Sequence, residues 1–302
     1  MDNVATQSSR PPRFGVAVQS RNGPHGTDPF FEDLLAGMEE TLDPHGASVF
    51  LRRFSSYQQE LDTYPLWAES GEVDVVVIVD SQEADDRAER CRQLGLPVVI
   101  LGGPRHEGAS LVDVDNSGAM EMAVKYLAGL GHAIIARVSG PGHLHHTKAR
   151  SIAYEQALAS HSVAGYSVEG DYSAESGSQR TREILSAHVI PTAVVYDNSV
   201  MAVAGLAAVH DLGLVVPRDL SILAWDDGPD CRLSTPPISV VSLDVYELGR
   251  ILAEVLMRTF AGAVQTVVHV PTGQIIQRGS TAKWPSAGSG QSPPDPALTS
   301  AV

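Results

Sequence analysis

The chain has 302 residues, 43% of them hydrophobic, and a formal net charge of −15 at pH 7. This length exceeds what one compact domain usually needs, which predicts two lobes of roughly 100 to 150 residues each. The acidic balance argues against direct binding to a phosphate backbone, because such binding depends on clustered Lys and Arg side chains.

Signals for export and membrane insertion are missing from the sequence. No run of 18 apolar residues occurs, and the first 12 residues lack the apolar core of a secretory signal. The two cysteines, Cys91 and Cys231, are far apart and have no CxxC spacing, which is typical of reduced thiols. We therefore expect a cytoplasmic protein without a membrane partner.

Strands and helices alternate through the first half of the chain. Segment 14–18 predicts a strand, and Asp28 followed by Pro29 predicts a helix start, since Asp caps helices and Pro fits the first helical position. Apolar residues three and four apart give this helix one buried face: Phe31, Leu34, Leu35, Met38 and Leu42. Apolar runs at 73–79, 98–101 and 111–114 predict strands, and a further helix is expected over 116–131.

The second half repeats this alternation. Strands are expected near 134–139, 167–169, 193–196 and 220–225, and helices near 147–160, 176–186 and 200–212. The pattern predicts an α/β fold with two doubly wound, Rossmann-like lobes joined by a multi-strand hinge. The expected division is a linker remnant (1–12), an N-terminal lobe (13–132 plus 242–262), a C-terminal lobe (133–241 plus 266–281) and a disordered tail (283–302).

Two of the predicted strands end in carboxylates. Segment 220–225 stops at Asp226 and Asp227, and segment 73–79 stops at Asp80. Ligands of open α/β sheets bind beyond the carboxyl ends of the strands, so Asp226 and Asp80 are candidate ligand contacts. The alternative for Asp226 and Asp227 is that they cap the turn before Gly228.

The segment after Asp227 carries a family resemblance. Pro236-Pro237, a short strand, Asp244, and a helix with Leu248-Gly249 follow in an order that resembles the effector-binding core of LacI-family transcription regulators. The resemblance runs from Arg13 to about Thr281 and implies a type I periplasmic-binding-protein-like fold and a homodimer. It also implies a small polar effector in the cleft, a sugar or related polyhydroxylated metabolite. Family members contact operator DNA through an N-terminal helix-turn-helix, which we expect to be absent from this chain.

The resemblance also implies site residues in the first lobe. Pro29-Phe30-Phe31 resembles an aromatic helix start of the family, which implies that Phe30 faces the cleft; alternatively, both rings are core or dimer contacts. Asp115 lies in a turn that resembles the family's cleft edge, and a helix-capping role for it is compatible with this placement.

In the second lobe, Arg150 stands where the family has an arginine that faces ligand hydroxyls. A planar guanidinium suits vicinal hydroxyls or a carboxylate; the alternative is a surface arginine paired with a helix acid. Asp197 and Asn198 resemble the family's Asn-Asp turn, but Ser199 replaces the usual Asp. Either Asp197 supplies the missing carboxylate, or the ligand lacks the hydroxyls that this carboxylate would bind.

Other classes of function find little support in the sequence. His143, His145 and His146 have metal-like spacing but no nearby Cys or acidic partner, so we expect a mobile cleft loop and no metal site there. No nucleophile elbow and no phosphate-binding glycine loop occur, so no enzyme activity and no cofactor are expected. A solute-binding protein of the same fold, acting alone or with a transporter, is the alternative function.

Overall fold

The computed structural model describes residues 10–19, 29–263 and 265–285. The expected helix cap Asp28, most of the expected linker remnant and most of the expected tail lie outside these ranges. In the described ranges, no helix has both the length and the apolar character that crossing a membrane requires.

The first sheet has six parallel strands in the spatial order 11-5-4-3-1-2. They are β1 (Arg13–Gln19), β2 (Ser48–Phe54), β3 (Val75–Ile78), β4 (Val98–Leu101), β5 (Ala109–Asp113) and β11 (Val267–His269). The helices α1 (Pro29–Leu42), α2 (Tyr57–Ser70), α3 (Arg87–Gln93) and α9 (Val245–Phe260) accompany them. β3 and β4 are buried throughout, as expected for apolar strands covered on both faces.

The second sheet also has six strands, in the order 12-10-9-8-6-7, and only the last strand along the chain runs antiparallel. They are β6 (Ile134–Ser139), β7 (Ala164–Glu169), β8 (Ala193–Tyr196), β9 (Ser221–Trp225), β10 (Ser239–Ser242) and β12 (Gln274–Ile276). Its helices are α4 (Asn116–Gly129), α5 (His145–Ser160), α6 (Ala174–Leu185), α7 (Ser199–Asp211) and α8 (Pro229–Leu233). The predicted fold class is confirmed.

The chain crosses between the two sheets three times, at 114–115, 243–244 and 270–273. The first crossing comes earlier than predicted, because α4 packs on the second sheet. Met120, Val124 and Leu127 lie in one buried cluster with second-sheet residues, including Trp225. The expected boundary at 132 is therefore wrong. Apolar periodicity defines the buried face of a helix but does not say which sheet covers it.

Two further boundaries differ from the expectation. β11 pairs with β5 of the first sheet, so only the later part of 266–281 belongs to the second lobe. The backbone N–H of Trp284 donates to the Leu130 carbonyl at 2.8 Å, so the lobe extends past residue 283. β11 and β12 have only three residues each, which is too few for a sequence pattern to indicate the strands that they pair with.

α1 and α9 pack on each other through two glycines. A Cβ on Gly37 would lie 2.0 Å from the Tyr246 carbonyl oxygen, and one on Gly249 would lie 2.2 Å from the Leu34 carbonyl oxygen. The two backbones are therefore in direct contact. α1 carries Phe30 in its first turn, and α9 begins directly after the second crossing.

Candidate ligand-binding cleft

A cavity lies between the two lobes, and residues of both lobes line it. It brings together six of the residues predicted from the sequence: Phe30, Asp80, Arg150, Asp197, Asn198 and Asp226. Phe30 and Asp80 belong to the first lobe, and the other four belong to the second.

Asp80 and Asp226 follow β3 and β9, respectively, and both have left-handed backbones, with φ of 53° and 66°. Tyr172, another cavity residue, has φ of 70°. These are three of the four non-glycine residues with positive φ in the described part of the chain. Such conformations cost free energy and persist where the surrounding structure enforces them. The strained positions thus concentrate at the cleft.

Arg150 is held rigidly in the cavity wall and is only 8% exposed. Its Nε donates to Asn116 Oδ1 at 2.8 Å, and its Nη1 donates to the Asp197 carbonyl oxygen at 3.1 Å. The guanidinium carbon lies 3.8 Å from the centre of the Trp225 ring. Its Nη2 makes no hydrogen bond to a described residue and remains a donor at the wall. Arg150 is therefore not the surface arginine of the alternative interpretation.

Asp197 borders the cavity, but its carboxylate is engaged by the protein. Arg137 donates to it through Nε at 2.8 Å and Nη2 at 2.5 Å, and the Gly140 N–H donates at 3.1 Å. Both side chains of this ion pair are 0% exposed. Burial alone would raise the pKa of Asp197, but Arg137 and Arg150 hold that pKa below its ordinary value. The carboxylate is part of the cavity wall.

Asn198 is engaged in a similar way. Its Oδ1 accepts from the Met201 N–H at 2.9 Å and so caps α7, as short polar side chains often do. Its Nδ2 donates to the Tyr172 carbonyl oxygen at 3.0 Å. Asn198 thereby holds the backbone of Tyr172 in its left-handed conformation at the cavity.

Asp115 lies outside this cavity. Its Oδ1 accepts from the Gly118 N–H at 2.8 Å, which caps α4, and its Oδ2 accepts from Thr272 Oγ1 at 2.7 Å. Asp115 thus ties the first crossing to the third. The next residue, Asn116, lines the cavity and supports Arg150 instead.

His146 and Tyr172 also line the cavity, although neither was predicted as a ligand contact from the sequence. His146 Nε2 and the Tyr172 hydroxyl are 2.8 Å apart, and His146 Nδ1 is 4.0 Å from Asp80 Oδ1 of the other lobe. The expected mobile loop at the histidines is wrong in part, because α5 begins at His145. Within the described ranges, no three His, Cys, Asp or Glu side chains converge as metal ligands.

Arg87 holds the end of β3 from beneath the cavity. Its Nη2 donates to the carbonyl oxygens of Val79 and Asp80 at 3.0 and 3.2 Å, and its Nη1 donates to the buried Glu60 at 3.0 Å. Burial alone would lower the pKa of Arg87, but Asp85 and Glu60 raise it above its ordinary value. Arg87 therefore stays charged and anchors the backbone of Asp80.

The two lobes touch directly beside the cavity. The His145 N–H donates to the Ser81 carbonyl at 2.8 Å, Gln82 and Leu144 form a backbone bridge, and Lys148 pairs with Glu83. These contacts join the loop after β3 to the start of α5. The cleft is closed on this side.

Known proteins are similar to this chain in sequence and in architecture. A family model described as a periplasmic binding protein-like domain matches residues 124–281. The HTH-type transcriptional repressor CytR of Escherichia coli is 29% identical over 269 residues, which cover 85% of this chain and 77% of CytR.

Solved structures agree with this match. A LacI family transcriptional regulator from Bifidobacterium animalis is 29% identical, with a TM-score of 0.81 over 89% of this chain and 97% of that one. A complex of the regulator CelR with cellobiose is 25% identical, with a TM-score of 0.79 over 89% of this chain and 84% of CelR. The chain belongs to the periplasmic binding protein-like domain family and corresponds to the effector-binding core of the homologous LacI-family transcription regulators.

Proposed function

We propose that the cleft binds a small, uncharged, polyhydroxylated effector of the sugar type, and that this binding controls a cytoplasmic transcription regulator. The main support for this proposal is that both lobes contribute polar groups to the lining of one cavity. Asp80 lies on the first lobe, and Arg150 and Asp226 lie on the second. Ligand hydroxyls can donate to the carboxylates and accept from the guanidinium.

The charges favour a ligand without phosphate. Asp80 and Asp226 both line the cavity, whereas the positive charge of Arg150 lies 3.9 Å from the Asp197 carboxylate. Two carboxylates repel a phosphate group more than one partly neutralised guanidinium attracts it. The aromatic rings of Phe30 and Tyr172 offer apolar surface to the carbon face of a sugar. The cellobiose bound to CelR supports a carbohydrate ligand.

Ligand binding is expected to stabilise the closed arrangement of the lobes. Polar groups on both walls reach one ligand only when the lobes are together, so affinity differs between open and closed states and shifts their populations. In a homodimer, closure would move the two first lobes relative to each other. That movement is the signal that a DNA-binding domain would receive.

Calorimetric titration tests the ligand class. Glucose, galactose, ribose, cytidine and glucose 6-phosphate are titrated into the full chain, and we expect a neutral sugar to bind and the phosphate to fail. Arg150→Ala should weaken binding by roughly 1.5–3 kcal/mol, since it removes a charge-assisted donor. Arg218→Ala, which alters an exposed arginine paired with Asp219, is the matched control. Unchanged affinity in Arg150→Ala would exclude this cleft as the site.

The assembly and DNA proposals have separate tests. Sedimentation at micromolar concentration should give the mass of two chains, and a mass of one chain would refute the homodimer.

In a gel mobility-shift assay at low salt, the 302-residue chain should not bind plain duplex DNA, because its net charge is −15. A retarded band would point to a basic surface that the composition does not suggest.

A further inference from the structure

A second cavity, of about 350 Å³, adjoins the cleft. Phe30, Asn198 and Asp226 line both cavities. The second cavity, here called the side pocket, is bounded further by Asp33 of α1, Tyr246 of α9 and Asp244 of the second crossing. The two cavities are therefore adjacent, with Phe30, Asn198 and Asp226 at their common boundary, so a ligand of two units could place one unit in each.

Carboxylates dominate the lining of the side pocket. Asp33, Asp226, Asp227 and Asp244 line it, together with one cation, Arg232. Arg232 is paired, with its Nη1 3.3 Å from Asp227 Oδ2, and Arg278 Nη2 donates to the same oxygen at 2.7 Å. Asp227 is thereby neutralised, and Asp33, Asp226 and Asp244 give the lining its negative charge. The lining therefore favours groups that donate hydrogen bonds and disfavours anions such as phosphate.

An aromatic ring completes the side pocket. Tyr246 is 40% exposed, although it follows directly after the buried Val245 at the start of α9. Phe30 stands at the junction with the cleft, in edge-to-face contact with Phe31. Aromatic faces beside hydrogen-bond acceptors suit a ring that is apolar on its faces and carries hydroxyls at its edge. The side pocket thus repeats the chemistry of the cleft.

We infer that the effector is an unphosphorylated carbohydrate of at least two units, with one unit in the cleft and the next in the side pocket. This inference rests on the proposed function, since it presupposes a carbohydrate in the cleft. It assigns Tyr246 and Asp33 as residues that determine ligand length.

The test compares ligand lengths on matched variants. Glucose, maltose, cellobiose, trehalose, sucrose and trehalose 6-phosphate are titrated calorimetrically into the wild-type chain, Tyr246→Ala and Asp33→Asn. At least one disaccharide should bind ~10-fold tighter than glucose, equivalent to about 1.4 kcal/mol. Each variant should lower that disaccharide's affinity ~10-fold and leave the glucose affinity within ~2-fold. Glu39→Gln, an exposed change further along α1, is the control and should alter neither affinity.

The possible failures are distinguishable. Glucose affinity equal to that of every disaccharide, or equal losses for both ligand lengths in the variants, would overturn the two-unit inference while the cleft proposal stands. Tighter binding of trehalose 6-phosphate than of trehalose would overturn the charge argument. Binding of no sugar by the folded chain would overturn the proposed function itself.

Discussion

The two lobes place an aspartate at the end of a central strand beside the cleft, but they anchor it in opposite ways. In the second lobe, Arg137 binds the carboxylate of Asp197 and leaves that group no role toward a ligand. In the first lobe, Arg87 binds the backbone of Asp80, so the side chain lines the cavity. The same residue type at equivalent strand ends is structural in one lobe and a candidate ligand contact in the other.

The largest expected effect comes from breaking the anchor of the second lobe. Asp197→Asn should lower the free energy of unfolding by roughly 3–5 kcal/mol, because it leaves the Arg137 charge buried without its partner. Urea unfolding measures this change. Asp211→Asn removes an exposed ion pair with Arg182 and should cost less than about 1 kcal/mol. Similar values for the two variants would mean that the buried pair stabilises the second lobe no more than an exposed pair does.

A pH titration sharpens the contrast, because a buried histidine lies in the second lobe. Burial lowers the pKa of His132 to about 4, against about 6.5 for an unperturbed histidine. The unfolded chain then binds more protons between these values, so stability falls as pH decreases from 6.5 to 4, by about 3 kcal/mol. The lowered pKa of Asp197 acts only below about pH 3.9, which separates the two groups.

The variant His132→Gln should remove most of this pH dependence in urea unfolding measured between pH 7 and pH 4.5. His143→Gln, at an exposed position, should leave the dependence as in the wild type. An unchanged slope in His132→Gln would mean that another group causes it.

The first lobe depends on close packing of helices. Gly249→Ala should destabilise the chain by about 1–3 kcal/mol, because the new methyl group overlaps the Leu34 carbonyl and forces α1 and α9 apart. Gly262→Ala is the control for backbone strain alone, because Gly262 has a φ of 79° and open space at its Cβ position. Ligand affinity should fall in Gly249→Ala and not in Gly262→Ala, since only the former shifts Phe30.

The smallest change in stability is expected for Asp80→Asn. Asparagine tolerates the left-handed backbone at φ of 53°, so unfolding should change by less than about 1 kcal/mol. Sugar affinity should nevertheless fall by roughly 10-fold or more, because a charged acceptor is lost from the cleft. Calorimetry and urea unfolding on one preparation separate the two effects. A stability loss as large as that of Asp197→Asn would mean that Asp80 is as structural in the first lobe as Asp197 is in the second.

Strand positions could be predicted well wherever β-branched residues form a continuous apolar run. The predicted bounds of β4 and β8 match the structure to the residue, and so do those of β6, although Arg137 interrupts its apolar run. β2 was not predicted, because its exposed residues Arg52 and Arg53 interrupt the apolar pattern. α2 and α3 were missed for a similar reason, since their polar residues leave only a weak apolar face.

Residue patterns alone predicted the candidate site where a strand end marks it, and the family resemblance added Phe30 and Arg150. Asp80 and Asp226 follow apolar runs, so their place beyond the sheet could be predicted. Tyr172 lies in a short polar loop, and no residue pattern predicts its left-handed backbone. Arg137 interrupts an apolar strand, and the sequence does not reveal that Asp197 compensates its charge. The Arg137–Asp197 pair connects residues 60 positions apart, and only the folded chain brings them together.

The glycine contact between α1 and α9 has a mechanical consequence. Helices in backbone contact cannot slide past each other without severe overlap, so these two are expected to rotate as one stiff rod. One end of the rod carries Phe30 at the cleft, and α9 leaves the hinge at the same end. Its far end lies about 24 Å away along the sixteen-residue α9. A small tilt imposed at the ligand is therefore magnified into a larger displacement at the outer surface of the first lobe.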